Sequence, residues 1–465
     1  MNIKDTYDRV YFLGIGGIGM SALARWFRHL GWAVAGYDRT PSQLTAALAA
    51  EGIAIHFTDL AEKVQEIAGD RTTTLVVVTP ALPPDHGEWN WLRTNGFTIL
   101  KRSQVLGMLC NPGHTIAVAG THGKTTVSTM AAVILSHRPQ GCGAFLGGIS
   151  RNFGSNLLLP SFPEAWIVTE ADEYDRSFLQ LTPEVAVITY MDPDHLDVYG
   201  NDEDFQASFL EFAGGIKPGG SLVVRRELAS RFGATGGRKI YTYALTGEAD
   251  FSTRELTLDP QSRCYSFRIV TPSGESPLMT MGYPGLHNVE NGVAAAAAAF
   301  LAGASLEEII NGLEAYTGVA RRFDIRYRSP HQIFIDDYAH HPRELHTFIT
   351  SVRHMWPGKK ITGIFQPHLY TRTRDFAEAF ANSLDLLDTA VVIPIYPARE
   401  QPIAGVSPEL ILSKMTLTNK LKAEKEEIIP FLRKHPPEIL VTMGAGDIEL
   451  MADELIAFLT HEADR

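Results

Sequence analysis

The sequence predicts an α/β protein of three domains built on parallel sheets, with a small antiparallel sheet in the middle domain. Three observations lead there. The chain has 465 residues, which at roughly 100–200 residues per domain suggests about three domains. Apolar runs of strand length recur and end in glycine or acidic residues, with helical stretches between them, as in a sheet covered on both faces. The alternation restarts twice, at His114 and after Phe323.

RVYFLGIGGIGMSALARWFRHLGWAVAGYD, from Arg9 to Asp38, reads as a strand, a glycine turn, an amphipathic helix and a second strand, the βαβ unit of a dinucleotide-type fold. TLVVVTPA (74–81) adds a buried strand, and FTILKRSQVLGMLC leads out of the segment near residue 110. HTIAVAG, AWIVTEAD and VAVITYMD are the strands of the second segment. Residues 238–282 instead alternate polar and apolar around Asp-Pro and Pro-Ser-Gly turns, which predicts antiparallel hairpins. The stretch from His287 to Tyr316 reads as two helices joined at Gly303, and QIFIDDY, KITGIFQP, TAVVIPIY and EILVTMGAG are the strands of the third segment. The expected domains are therefore 1–110, 111–324 and 325–465.

A hydrophobic content of 45% with 20% charged residues is ordinary for a globular protein, and a net charge of −12 argues against nucleic acid or an anionic membrane as partner. Cys110, Cys142 and Cys264 have no short spacing and read as core thiols of a reducing compartment. The opening MNIKDTYDRV lacks the apolar run of a signal peptide, and no stretch approaches the ~18 apolar residues of a membrane span. These features predict a cytoplasmic protein of enzyme size.

Two turns are built to cradle phosphates. GIGGIG places Gly14, Gly16 and Gly19 in the pattern G-x-G-x-x-G, with Gly17 inside it, between a strand and a helix. There the backbone can approach a diphosphate that the helix N-terminus attracts. Asp38, at the end of the next strand, is placed to accept from a ribose or base. The second turn, GTHGKTT (120–126), ends like a phosphate loop but is shortened, with Val118 where the strict pattern has its first glycine. Lys124 would meet the β- and γ-phosphates and Thr125 would place its hydroxyl on Mg²⁺, with the backbone of Gly120, Thr121, His122, Gly123 and Thr126 around the phosphates.

Acidic and basic clusters follow at other strand ends. EADEYD (170–175) and MDPDHLD (191–197) bring Glu170 and His195 to the edge where an open parallel sheet binds ligands. Mg²⁺ needs only one or two carboxylates, so most of Asp172, Glu173, Asp175, Asp192, Asp194 and Asp197 read as caps or solvated groups. DDYAHHP (336–342) carries His340 and His341 without a zinc pattern. In HLYTRTRD (368–375), Arg372 and Arg374 lie two apart, so on an extended segment both would face one side and grip a carboxylate.

GIGGIGMS, GTHGKTT, EADEYD, DPDHLD, HNVENG, RRF, DDYAHHP, FQPHLYTRT and GAGDI occur in this order along nearly the whole chain, and in this the chain resembles the Mur ligase family. The resemblance implies an N-terminal Rossmann-like domain for a UDP-sugar, a central P-loop ATPase, and a C-terminal Rossmann-like domain that closes over ATP and holds the amino acid. One glycine turn then serves UDP-N-acetylmuramate through Gly14, Gly16, Gly17, Gly19 and Asp38; the other serves ATP, and the shortened loop is the family's own form. Lys124 would neutralise the γ-phosphate, and Thr125 and Glu170 would hold Mg²⁺, with Mn²⁺ as a substitute. His195 would attend a second metal or an acyl phosphate. His287, Asn288 and Asn291 would approach the adenine, and Arg322 and Asp336 the nucleotide. Tyr338, His340, His368 and Arg372 would surround L-alanine, with Arg372 on its carboxylate.

Within the family, similarity is greatest to the type that adds L-alanine first, as a monomer or homodimer. Later-acting types use a carbamylated lysine about fifteen residues after the DPDH-type histidine, where this chain has Leu210 and no lysine between His195 and Lys217. Recycling members that attach a whole tripeptide carry bulkier residues in the first glycine turn and form the runner-up. One departure is Leu369, where many alanine-adding members have arginine. Two readings from other classes are a nicotinamide-dependent oxidoreductase on GIGGIG and a P-loop nucleotide switch; both leave RRF, DDYAHHP and YTRT unexplained.

Overall fold

The computed structural model describes residues 6–80, 82–192, 199–233, 237–398 and 400–463. The first sheet takes β1 (Arg9–Leu13), β2 (Ala33–Tyr37), β3 (Ala54–His56), β4 (Thr74–Val78) and β5 (Thr98–Lys101) in the parallel order β3-β2-β1-β4-β5. Every residue of β4 is buried, as the apolar run Leu75–Val78 requires of a strand covered on both faces. The GIGGIG turn follows β1 and opens the helix Ile18–His29.

The central sheet has seven strands: β6 (Thr115–Ala119), β7 (Cys142–Ser150), β8 (Ser155–Leu158), β9 (Trp166–Glu170), β10 (Val185–Ile188), β11 (Ser221–Arg225) and β12 (Lys239–Tyr243), in the order β12-β11-β10-β6-β9-β7-β8. All pairs are parallel except β7 with β8. β6 sits between β9 and β10, so the loop after it has the ends of both neighbours beside it, where an open sheet forms its crevice. The hairpins expected over 238–282 appear as β13 (Ser252–Leu258), β14 (Tyr265–Thr271), β15 (Gly274–Glu275) and β16 (Met279–Thr280), all antiparallel. Two helices follow, Leu286–Leu301 and Leu306–Ala315; Gly303 turns between them at φ +87° and Ser305 with Glu308 makes a capping box.

The last sheet takes β17 (Asp324–Arg328), β18 (Ile333–Asp337), β19 (Ile361–Phe365), β20 (Thr389–Val392), β21 (Lys420–Lys422) and β22 (Ile439–Met443), in the order β17-β18-β22-β19-β20-β21. Only β17 is antiparallel to its neighbour. By packing, the chain forms two compact units, Met1–Pro284 with Asn288–Thr317, and Gly285–His287 with Gly318–Arg465. The first holds the first three sheets.

Inside that first unit the glycine-turn helix is fastened to the central sheet. Buried Asn156 donates to Ser21 Oγ at 2.9 Å and to the Ile18 carbonyl, while accepting from Arg25. Burial pushes the Cys110 and Cys142 thiols up to about 12, as expected of core cysteines; Cys264 is only partly buried. Among the described residues no helix is long and apolar enough to cross a membrane.

Candidate active site

The GTHGKTT loop runs from the end of β6 into the helix Lys124–Ser136. Two of its positions need glycine. Gly123 caps the helix at φ +83°, and Gly120, at φ +123°, leaves no room for a Cβ, which would lie 2.2 Å from Thr189 Oγ1. The Thr121 amide donates to the Tyr190 carbonyl at 3.0 Å and Thr189 Oγ1 donates to the His122 carbonyl, so the segment after β10 braces the loop. His122 also faces Asp192 at 3.5 Å.

Lys124 Nζ donates to the Gly120 carbonyl and to Glu173 Oε1, each at 2.8 Å. Burial opposes the ammonium charge, but Glu173, Glu170 and Asp172 outweigh it and raise the Lys124 pKa. Burial raises Glu173 as well, with Lys124 pulling it back. Glu173 is therefore no solvated acid, contrary to expectation: it is 1% exposed and ion-paired with the loop lysine. Asp172 does act as a local cap, accepting from the Tyr174 amide at 3.1 Å. Thr125 Oγ1 donates to Glu170 Oε2 at 2.8 Å, and Gly147 clears space beside that carboxylate, since a Cβ there would lie 1.9 Å from Oε2. A hydroxyl and a carboxylate in one cradle form the hard-oxygen donor set that Mg²⁺ accepts alongside phosphate oxygens and water.

At the first turn, Gly14 has φ +89° and faces Thr79. The Asp38 carboxylate is engaged by the turn's own backbone, accepting from the Gly16 amide at 2.7 Å and the Thr40 amide at 3.2 Å. It thus shapes the turn rather than standing open for a ribose. A cavity of about 280 Å³ has Gly17, Gly19 and Arg102 in its wall at this turn and Gly147, Glu170 and Asp172 from the central sheet.

The second unit gathers its candidates at the ends of β18, β19 and β20. The Tyr338 and His340 rings lie 5.2 Å apart, His340 and His368 5.9 Å apart, and His368 stacks on Tyr396 at 5.7 Å. Burial pushes His340 down to about 4; Glu344 opposes the shift and Arg372 adds to it. Arg372 Nη1 is buried without a hydrogen-bond partner among the described residues. Arg372 and Arg374 do not share an extended face, however. They lie in the helix Tyr370–Leu384, where residues two apart point about 200° from each other, and Arg374 pairs with Asp375 at 2.7 Å on the surface.

His195 lies outside the described residues. The HNVEN residues divide between the units: His287 is in the second, 3.1 Å from Ser351 Oγ, while Asn288 and Asn291 are in the first. Asn288 donates to the Pro284 carbonyl at 2.7 Å, and the Asn291 side chain abuts Gly123, where a Cβ would come 2.8 Å from its Oδ1. Asp336 accepts from Thr442 Oγ1 at 2.7 Å and faces Arg321 at 3.4 Å, while Arg322 lies over the Tyr338 ring. Sequence reasoning missed Arg102, Glu173, Tyr396 and the trio Tyr190, Arg225 and Glu290, whose hydroxyl, guanidinium and carboxylate join at 2.9–3.0 Å. Only strand-end position marked Glu173 and Tyr396 in advance.

Family models match the chain in three consecutive stretches, as Mur ligase family, catalytic domain (residues 9–114), Mur ligase middle domain (118–299) and Mur ligase, glutamate ligase domain (321–446). The UDP-N-acetylmuramate–L-alanine ligase of Phocaeicola vulgatus is 48% identical, covering 98% of this chain and 99% of its own. Among solved structures, the UDP-N-acetylmuramate–alanine ligase of Thermotoga maritima aligns with a TM-score of 0.79 at 26% identity, over 98% of this chain and 100% of its own. A murein peptide ligase from Psychrobacter arcticus shares the fold, with a TM-score of 0.71 at 23% identity over 97% and 98% of the two chains.

Proposed function

The chain belongs to the Mur ligase family, and from that premise we propose that it joins L-alanine to the lactyl carboxylate of UDP-N-acetylmuramate with cleavage of ATP, a step of peptidoglycan precursor synthesis. One observation carries this reading beyond the likeness. A single cavity has in its wall the first glycine turn and Glu170, the acid hydrogen-bonded to Thr125 of the phosphate loop. A UDP-sugar anchored at Gly14, Gly16, Gly17 and Gly19 would thus extend its lactyl end toward the ATP phosphates. We assign residues 1–110 to the UDP-sugar, 111–324 to ATP and 325–465 to the amino acid.

A carboxylate oxygen is a poor leaving group, and phosphorylation makes it a good one. The lactyl oxygen forms a bond to the γ-phosphorus as the bridging bond to ADP breaks, giving an acyl phosphate. The alanine amine then bonds to the acyl carbon and loses a proton to solvent, and the tetrahedral intermediate expels phosphate. No protein nucleophile is required; positioning and cations carry the catalysis. Lys124 exchanges Glu173 and the Gly120 carbonyl for phosphate oxygens, within a backbone cradle that runs from Gly120 to Thr126. Thr125 and Glu170 would hold Mg²⁺, which when bound spreads the charge of the β- and γ-phosphates. His195 serves the acyl phosphate or a second metal. Asn291, against Gly123, serves the nucleotide from the first unit, and the family's motifs assign Asn288, His287, Arg322 and Asp336 to the nucleotide as well. Arg372 takes the alanine carboxylate among Tyr338, His340 and His368. The nucleotide substrates favour a cytoplasmic location.

Incubation with ATP, UDP-N-acetylmuramate and L-alanine tests the proposal. ADP and phosphate should appear in step with the UDP-sugar product, and only when both co-substrates are present. Preference for a tripeptide over free alanine would transfer the chain to the recycling type, and nucleotide hydrolysis indifferent to the sugar would remove the ligase reading.

A further inference from the structure

The cavity beside the first glycine turn has a charge problem. Glu170 and Asp172 in its wall are acids, and the helix N-terminus at Gly17 supplies only about half a positive charge. The ligand proposed for it carries a diphosphate and a carboxylate. Arg102 is the one lysine or arginine in the wall among the described residues. It opens the helix Arg102–Cys110 and lies directly over the turn: a Cβ at Gly19 would come 2.9 Å from Arg102 Nη1 and 3.0 Å from Cδ. The third glycine of the fingerprint thus makes room for a guanidinium. That guanidinium now faces Asp172 Oδ2 at 3.3 Å, in an ion pair with both side chains partly exposed. A partly exposed pair of this length is weak and is readily exchanged for a better anion, and the arginine fork suits phosphate oxygens.

Resting on the UDP-sugar reading of this cavity, we propose that Arg102 is the cation that meets the UDP diphosphate, and that Asp172 holds it in reserve while the site is empty. Binding then swaps the Asp172 contact for phosphate oxygens. The alternative is a plain clasp between the two sheets, and the two roles differ in the sign of one measurement. Calorimetry with UDP and with UDP-N-acetylmuramate, without ATP or Mg²⁺, should show R102A weakening both ligands roughly ten-fold or more, with R102K recovering part of the loss. D172N, which keeps the oxygen that accepts from Tyr174, should bind both ligands up to about five-fold more tightly. Equal melting temperatures would confirm that the variants are folded. If D172N weakened binding together with R102A, Arg102 would be a clasp and the proposal would fail. Loss of UDP-N-acetylmuramate affinity with UDP affinity unchanged would place Arg102 on the lactyl carboxylate and overturn the diphosphate assignment. Absence of UDP-sugar binding in the unaltered protein would instead remove the reading of the cavity itself.

Discussion

Lys124 is already charged, buried and aimed before any phosphate arrives, because Glu173 and the Gly120 carbonyl hold it at 2.8 Å. Lys124→Ala should therefore cut kcat for ligation by ~10²-fold or more, as for other losses of a preorganised charge at a developing anion. UDP-sugar affinity should be unchanged, since Lys124 is not among the described residues that line the cavity at the first glycine turn; calorimetry on the variant beside an ADP-release assay checks both halves. Titration gives a second prediction at this scale. His340 and His287 are both pushed down to about 4 from an ordinary 6.5, chiefly by burial. The unfolded chain then binds more protons than the folded one between these values, so the stability they contribute is complete above pH 6.5 and is lost as pH falls toward 4. Asp337, pushed up to about 7 by its own burial, acts with the opposite sign, so the variant difference is the clean readout. His340→Gln should flatten the loss of unfolding free energy between pH 6.5 and 4 measured in urea; an unchanged slope would assign it elsewhere. Lys124, Thr125 and Glu170 were legible because a loop motif and a strand end fix their places locally. Glu173, Arg102 and Asn156 were not, because their partners lie 49, 70 and 135 residues away in sequence.

Elements were legible wherever their own residues decide them. β4 and β6 are buried throughout and apolar after their first threonines, as strands covered on both faces are, and Ser305 with Glu308 announces a helix start. The helix Tyr370–Leu384 has no such announcement. Its N-cap is Leu369, at φ +72° and with no side-chain cap bond, so HLYTRTRD gave no local reason to prefer helix over extended chain. Tertiary contacts decided it: the Leu369 amide donates to the Tyr396 carbonyl at 3.0 Å and Glu400 accepts from the Thr371 amide at 3.0 Å. β7 matters at the same scale because it passes beside the end of β9 with Gly147 against Glu170. Gly147→Ala should leave the sheet intact, as φ at this position is unexceptional, while forcing the carboxylate away from Thr125. The expected result is a higher Mg²⁺ concentration for half-maximal ADP release, with UDP-N-acetylmuramate affinity affected less. A variant with an unaltered Mg²⁺ requirement would show that Glu170 is not where the metal is held.

At the scale of the whole molecule, two restarts of strand–helix alternation were enough to read three domains, because each sheet imposes its own periodicity on a contiguous segment. What contiguous segments cannot reveal is packing: the first two sheets share one compact unit through Asn156, Ser21 and Arg25, and the candidate amino-acid residues belong to the other. The proposed reaction draws on both units, with the UDP-sugar and the ATP phosphates assigned to the first and alanine to the second. Acyl phosphate formation and amino-acid choice should therefore be separable by mutation. Arg372→Ala should raise KM for alanine far more than KM for ATP, because truncating one side of a desolvated charge pair typically costs ~2–5 kcal/mol, and a buried Nη1 with no hydrogen-bond partner among the described residues suits such a pair. The remaining recognition element of alanine is a methyl group, and a methyl-sized pocket discriminates by only ~1–3 kcal/mol. Glycine and serine should accordingly be slow, weak substrates, larger side chains should be excluded by clash, and D-alanine should fail because its methyl points away once carboxylate and amine are fixed. A panel of amino acids with one UDP-sugar, read by ADP release and product mass, measures this directly. If Arg372→Ala lowered kcat for every amino acid alike without moving KM for alanine, the arginine would act on the acyl phosphate, and the alanine carboxylate would have to be met by another residue of the second unit.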